Sequence, residues 1–320
     1  MRTMKILLGF AVVWAVFLIS CPTTLAATLV VDDNLKCPDA AYSSIQDAID
    51  AAREFDTILI CQGSYGGFEA HVRGIKVTAQ KDVLITAKGT AESVGIYVSA
   101  DDVVIEGLTL VGSCKWGIYV DGNNVQIINN TVDQTALDTD FLGIPRGMSG
   151  IECRGQDILI KQNRIVLSPY GDYQVGILAR GSFEIEENRV ILSRGKGYQI
   201  GIYTENGGRI ARNKIQCHDN ILETPKRDAQ VTGIRLQLDV AVPNAVQDFS
   251  HIIEGNIVYR TDCAISVERQ TALNPILEND LVIRDNVLAN NGYGIRTDRF
   301  TFATISGNLM RNCWWDCIYP

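Results

Sequence analysis

The chain has 320 residues, a formal net charge of −8, only three histidines and a hydrophobic share of 46%. The acidic balance, with no cluster of basic and aromatic residues, argues against a nucleic-acid surface. Three histidines and no Cys-x-x-Cys pair argue against a metal centre, and no cofactor signature is legible.

Residues 1–26 read as an export signal. Arg2 and Lys5 form a basic start, Ile6 to Ser20 is apolar, and Thr24-Leu25-Ala26 suits cleavage before Ala27. A second reading stands beside it: Leu18-Ile19-Ser20-Cys21 is similar to a bacterial lipobox, which would leave Cys21 lipidated. Either way the protein is expected outside the cytoplasm, extracellular or periplasmic. No second hydrophobic span follows, so no membrane domain is expected. Residues 27–320 are expected to form one domain. Eight cysteines remain after Cys21, an even number that favours disulfides in an exported chain.

The next element is a helix in YSSIQDAIDAAREFDTILICQGSYGG. Ser43 or Ser44 would cap it, and Ile45, Ala48, Ile49 and Ala52 fall on one face. Ser43 and Gln46 have capping-box spacing. Cys37 and Cys61 flank this helix and are the best disulfide pair. Cys313 and Cys317 are a candidate clasp on the last repeat; Cys114, Cys153, Cys217 and Cys263 cannot be paired from the sequence.

From here one pattern recurs: apolar-x-Ile-x-x-Asn-x-apolar, a turn, then Gly-Ile-x-apolar. The asparagine slot holds Asn130, Asn163, Asn188, Asn213, Asn256, Asn286 and Asn308, with Leu108 in the equivalent place upstream. The second half recurs at Ile96, Ile118, Ile151, Ile177, Ile202, Ile234, Ile265, Ile295 and Ile318, at spacings of 22, 33, 26, 25, 32, 31, 30 and 23 residues. A short fixed core with loops of varying length is the mark of a solenoid. The apolar period within each run is two, which alternates side chains across a strand. Each run is too short to bury a face alone, so stacking must supply the core. About nine coils at ~4.8 Å would make a rod roughly 40 Å long. Asparagine tolerates left-handed backbone angles, and stacked amides would bond from coil to coil. Asn129-Asn130-Thr131 is a glycosylation sequon that overlaps this slot.

The asparagine and Gly-Ile repeats, with the helix before them, resemble the right-handed parallel β-helix proteins of the pectin-lyase-like superfamily. The resemblance covers most of the chain after the export segment. It implies an all-β right-handed parallel β-helix with an N-terminal capping α-helix. It also implies that the Gly-Ile strand floors a polysaccharide groove. It does not fix an activity, because this fold hosts many.

Long insertions flank that strand. Before it lie DQTALDTDFLGIPRGMS, LSPYGDYQV, LSRGKGYQI and QCHDNILETPKRDAQVT; after it lie QLDVAVPNAVQDF and VERQTALNPILEN. Loops on a rigid scaffold are where binding residues concentrate. Counting forward from each Ile, the outward set is Tyr97, Tyr119, Asp121, Glu152, Arg154, Arg180, Tyr203, Glu205, Arg235, Gln237, Glu268, Arg296 and Asp298. Of these, Glu152, Arg154, Arg180, Tyr203, Glu205 and Arg235 are the candidate ligand floor. Aromatic faces stack on sugar rings, and arginine pairs with uronate carboxylates. A solvated face of cross-strand ion pairs, Arg180 beside Glu205 for instance, is the competing reading.

The superfamily's catalytic signatures are missing: the polygalacturonase Asn-Thr-Asp, Asp-Asp and Gly-His-Gly set, and the characteristic elements of alginate epimerases, pectate lyases and pectinesterases. Asp101-Asp102 opens a strand and reads as turn chemistry. A lyase would need an enolate-stabilising cation, for which Arg180 or Arg235 are candidates, and a proton relay. Tyr203 or an arginine of depressed basicity are the candidates for that relay. A hydrolase would need two carboxylates about 5–10 Å apart, and Glu152 and Glu205 lie two coils apart. Three functions stay open. The first is a protein that binds a polysaccharide or cell-surface glycan, with cleavage as a lyase or glycoside hydrolase left open. The second is a non-catalytic structural or adhesive solenoid. The third resembles the NosD-type periplasmic accessory β-helices, against which scarce His and Met argue.

Overall fold

The structure, a computed structural model, describes residues 26–319 apart from 35–36, 89–93, 135–147, 170–172, 195–196, 206, 219–229, 239–250, 270–280 and 298–302. Residues 1–25 with Cys21, Asp298 and the middles of the long insertions lie outside the described residues.

Three parallel sheets wrap around one core, with 12, 10 and 10 strands. Apart from Ala40–Tyr42, which pairs on the outer edge of Thr28–Val31, successive strands of each sheet come from successive turns of the chain, so every sheet is a stack of coils. The third sheet, made by the Gly-Ile strands, therefore has ten coils where about nine are expected from the repeat. The extra one is Phe68–Ala70, which pairs with Ile96–Val98 without carrying the signature.

The core follows from the period of two. Ile96, Ile118, Ile151, Ile177, Ile202, Ile234, Ile265 and Ile295 stack in one register and are fully buried. A parallel column of Ile105, Ile127, Ile160, Ile185, Ile210, Ile253 and Ile283 lines the first sheet. β-Branched side chains suit a pleated, packed surface. A glycine precedes seven of these third-sheet isoleucines and Ala264 precedes Ile265; these glycines lie against the side chains of the second sheet. A Cβ on Gly117 would lie 2.5 Å from the Gly150 carbonyl oxygen and 2.6 Å from Val132 Cγ1. No larger residue fits that approach.

The asparagines mark the bend between the first and second sheets. Asn163, Asn188, Asn213, Asn256 and Asn286 each donate from Nδ2 to the next slot's Oδ1 at 2.8–3.1 Å. The same Oδ1 accepts the preceding slot's backbone N–H, and each Nδ2 also reaches a carbonyl of the previous coil. Leu108 occupies the first slot, and its N–H donates to Asn130 Oδ1 at 3.0 Å. The left-handed residue is not the asparagine, contrary to the sequence expectation. It is the residue before: Gly107, Asn129, Gln162, Glu187, Arg212, Gly255, Asp285 and Gly307, with φ between 53° and 76°. The slot selects asparagine for its two-sided amide, and the strain falls next door. In the sequon the acceptor Asn129 is therefore exposed, while Asn130 is the buried amide. Asp101 and Asp102 form a turn as expected, with Asp102 at φ 62° and both carboxylates accepting from Asn123 and Asn124.

The helix Ile45–Ala51 covers the N-terminal end and buries Ile45, Ala48 and Ile49. Ser44 is its cap, accepting the Asp47 N–H at 3.4 Å. Gln46 does not close a capping box with Ser43. It turns outward and pairs with the Glu69 backbone, accepting from N at 2.8 Å and donating to O at 3.3 Å. Cys37 and Cys61 are disulfide-bonded. Cys313 and Cys317 are free thiols, so the expected clasp is open. Burial, then the neighbouring Cys317, push the Cys313 thiol up to about 12. Cys114, Cys153, Cys217 and Cys263 are buried free thiols. No described helix is long and apolar enough to cross a membrane.

Candidate functional site on the third sheet

All six candidate floor residues lie on the outer face of the third sheet, and the structure brings most of them into contact. Glu152 is the hub. Its Oε2 accepts the Trp116 indole N–H at 2.7 Å and the Ser149 hydroxyl at 3.3 Å. Its Oε1 faces Arg154 Nη2 at 3.1 Å and Arg180 Nη1 at 3.3 Å. Arg180 then reaches Glu205 Oε2 through Nε at 2.8 Å. Arg235 pairs with Glu268 and lies 5.8 Å over the Tyr203 ring, whose hydroxyl donates to Gln237.

This arrangement corrects two expectations. The strip is not a flat, open floor: Glu152 is 5% exposed and Tyr203 8%. Tyr203 packs with Val175, Leu178 and Ile200 in a second apolar cluster outside the main core, against Tyr173. The strands here run longer than their neighbours. Tyr173–Arg180 and Tyr198–Glu205 have eight residues and Gln230–Leu238 nine, against five in Trp116–Val120. The insertion ends thus add apolar residues to this face.

The second correction concerns proton transfer. Burial, followed by the Glu205 charge, raises the Tyr203 hydroxyl well above the ordinary tyrosine range, so it stays protonated at neutral pH. Burial alone would lower Arg180, but Glu205 and Glu152 outweigh it and its basicity is raised, not depressed. Neither group is a base. Glu152 and Glu205 do not stand apart around an open space either, since one guanidinium bridges them.

The N-terminal part of the face is different. Tyr97, Tyr119 and Trp116 form a continuous aromatic group, with ring centroids 5.7 Å apart for Tyr97–Tyr119 and 5.1 Å for Trp116–Tyr119. Two cations flank it: Lys115 Nζ is 4.3 Å from the Trp116 ring centroid, and the Arg154 guanidinium 5.2 Å from that of Tyr119. Tyr97 donates to Asp121 Oδ2 at 3.1 Å. All three rings are half-buried, each leaving part of itself to solvent. Trp116 and Lys115 are absent from the sequence-derived strip, because that count starts at Ile118 and runs forward. Trp116 stands two residues before inward Ile118, where strict alternation run backward would turn it inward too; Gly117 drops out of the strand register, which breaks the alternation and leaves Trp116 facing Glu152 on the outer side.

Residues 93–237, which hold this group and the ion-pair strip, match a family model described as a right handed beta helix region. The protein folds as a right-handed parallel β-helix. An alginate lyase from Paenibacillus sp. str. FPU-7 superposes with a TM-score of 0.54 at 15% identity, covering 92% of this chain and 98% of its own. Pectate lyase Pel9A superposes with a TM-score of 0.47 at 14% identity, covering 92% and 78%. At these identities the likeness is one of fold. No curated protein sequence matches the chain.

Proposed function

We propose that this β-helix is an exported polysaccharide-binding protein that holds its ligand on the third sheet without cleaving it. The observation that carries the reading is the Tyr97–Tyr119–Trp116 group with its two flanking cations. Rings held rigidly by stacked strands offer apolar faces to sugar C–H groups at little entropic cost, and the cations supply polar contacts at the rim. The solved proteins that share the fold include an alginate lyase, which supports a glycan as the ligand class. Binding without cleavage is favoured because the site's carboxylates are spent on arginine and indole donors and its tyrosine holds its proton.

Arg180 is a poor probe of this reading, because removing it strips a partner from buried Glu152. The test is Tyr97→Ala with Tyr119→Ala on a glycan array, followed by reducing-end and 235 nm absorbance assays. Losing two stacking rings at about 0.5–1.5 kcal/mol each should weaken binding roughly fivefold to a hundredfold, with no product from the parent. A parent that binds no glycan, or a double variant that binds as well, would sink the proposal. Product release by the parent would make it an enzyme.

A second reading, the structural solenoid, has an observation of its own. The outer face of the first sheet carries an equally dense ion network: Arg209 with Glu184 and Glu254, Arg284 with Glu254, and Lys161 and Arg212 with Glu186. Charge ladders therefore occur on this rod away from any groove.

A further inference from the structure

At the far end of the third sheet the same face carries a second aromatic group. Tyr293 stands in the register column of Trp116, six strands further on. Trp315 lies beside it with ring centroids 4.8 Å apart, and Tyr319 lies 5.6 Å from the same tyrosine. The placement is built rather than incidental. The backbone N–H groups of Trp314 and Trp315 donate to the Asn291 and Gly292 carbonyls at 3.1 Å, which stacks this turn on the coil below. A Cβ on Gly292 would come within 2.5 Å of the Trp315 ring, so glycine is what lets the indole lie against the backbone. Only part of that ring is used: Trp315 is 60% exposed and Tyr319 45%.

A cation completes the group. Arg296 is exposed and stands in register between Ser266 and Tyr319. Arg154, Arg180 and Arg235 are each neutralised by a glutamate. Arg296 makes no ion pair among the described residues. A guanidinium beside open ring faces has the chemistry to take a planar carboxylate attached to a sugar ring.

We propose that Trp315, Tyr293, Tyr319 and Arg296 form a second glycan site, selective for a uronic acid residue. The ring face of the sugar stacks on Trp315 and its carboxylate pairs with Arg296. The proposal rests on the third sheet being a glycan-binding face and adds a site and a ligand class to it. Six strand steps of ~4.8 Å place the two aromatic groups about 29 Å apart along the rod. That is too far for one sugar to touch both, so each platform has its own occupant or its own part of a long chain.

The test follows the indole N–H signals of the ¹⁵N-labelled protein, assigned with Trp116→Phe, Trp314→Phe and Trp315→Phe, as hexagalacturonate is added. The Trp315 signal should shift saturably, also in the Tyr97→Ala/Tyr119→Ala variant. Arg296→Ala should weaken that shift by about tenfold or more, since it removes a charge-assisted pair. Neutral cellohexaose should shift it far less. A response at Trp116 with none at Trp315 would overturn this site and leave the proposed function standing. Silence at both would overturn this site, with the glycan array judging the function separately. Equal responses to the acidic and neutral hexamers would overturn the uronate selectivity. A Trp315 signal that moves with protein concentration alone would mean that a second copy covers this end, and would also overturn the proposal.

Discussion

Replacing Asn188 by alanine tests the stacked amides where they are most buried. Asn188 donates from Nδ2 to the Ile160 carbonyl at 2.8 Å and to Asn213 Oδ1 at 3.0 Å. Its Oδ1 accepts the Asn163 backbone N–H at 2.9 Å and Asn163 Nδ2 at 3.0 Å. Alanine deletes all four bonds, but the losses are unequal. Asn163 Nδ2 keeps the Ile127 carbonyl at 2.7 Å, and Asn213 Oδ1 keeps the Asn188 backbone N–H at 2.9 Å. The Asn163 N–H keeps no other acceptor among the described residues, and both asparagines are buried. One orphaned buried donor at about 1–3 kcal/mol, plus the bonds lost without replacement, gives a cost of about 2–4 kcal/mol. Asn308→Ala is the internal control. It orphans the Asn286 N–H only at the open end of the stack, where Asn308 is half-buried and water can substitute, so its cost should be about 1 kcal/mol or less. Urea midpoints rank the two variants, and amide exchange locates the effect, with exchange at Asn163 accelerated in Asn188→Ala alone. A solenoid need not unfold in two states, so the ranking and the local exchange carry more weight than an absolute free energy. Equal midpoints for the two variants, or unchanged exchange at Asn163, would refute the reasoning.

Two further outcomes are expected. Replacing Cys37 and Cys61 by serine should destabilise the first coils by about 3 kcal/mol on a chain-entropy estimate for the 24-residue separation; limited proteolysis should then cut first near the capping helix, and an unchanged pattern would show the bridge carries no load. His251 is 5% exposed, its Nδ1 has no partner among the described residues, and burial lowers its pKa from 6.5 to about 4. Because the folded state then binds fewer protons than the unfolded one, its contribution is complete above the unfolded value and is lost as pH falls from about 6.5 through about 4, up to about 3 kcal/mol. His251→Leu should flatten the melting-temperature profile over that window, and a profile of unchanged slope would refute the assignment.

The fold was legible because stacking forces one register on the whole chain. An asparagine that must bond the coils on both sides recurs at a fixed place, and so does a small residue beside the buried, stacked isoleucine of the third sheet, glycine on every such coil but that of Ala264. The left-handed residue beside each asparagine was not legible. Glycine, asparagine, glutamine, glutamate, arginine and aspartate all hold that position, so it carries no compositional mark. The stack imposes the backbone angle, and the side chain there follows other needs. Burial of Glu152 was hidden for a related reason. Its partners Trp116 and Arg180 stand 36 and 28 residues away, and only coil register brings them together. Alternation showed which way Glu152 points; it does not show what is stacked on it. The aromatic groups were not legible either. Trp116 and Tyr293 stand two residues before inward Ile118 and Ile295, a place that strict alternation turns inward; the glycine between drops out of the strand register, and that break lets the rings face out.

Charge does not distinguish the faces of this rod, and that decides how the third sheet should be understood. Parallel strands at a fixed spacing place every outward residue beside its counterpart on the next coil, so any alternation of sign along a column yields ion pairs. The first sheet shows this at Arg209, Glu254 and Arg284, and the third at Glu152, Arg180 and Glu205. Such pairs keep an outward face hydrated and in register, and exposed ones contribute about 0–1 kcal/mol each. Aromatic content separates the faces. All four ring–ring contacts among the described residues lie on the third sheet or on the turn stacked against its last coils, at its two ends. Between them Leu178 and Tyr203 sit in a closed apolar cluster. A hydrated scaffold face gains nothing from an indole left 60% open to water on a bed that only glycine permits. A face that stacks sugars gains a rigid apolar plane from it, which is why the rings, rather than the charged strip between them, point to a ligand.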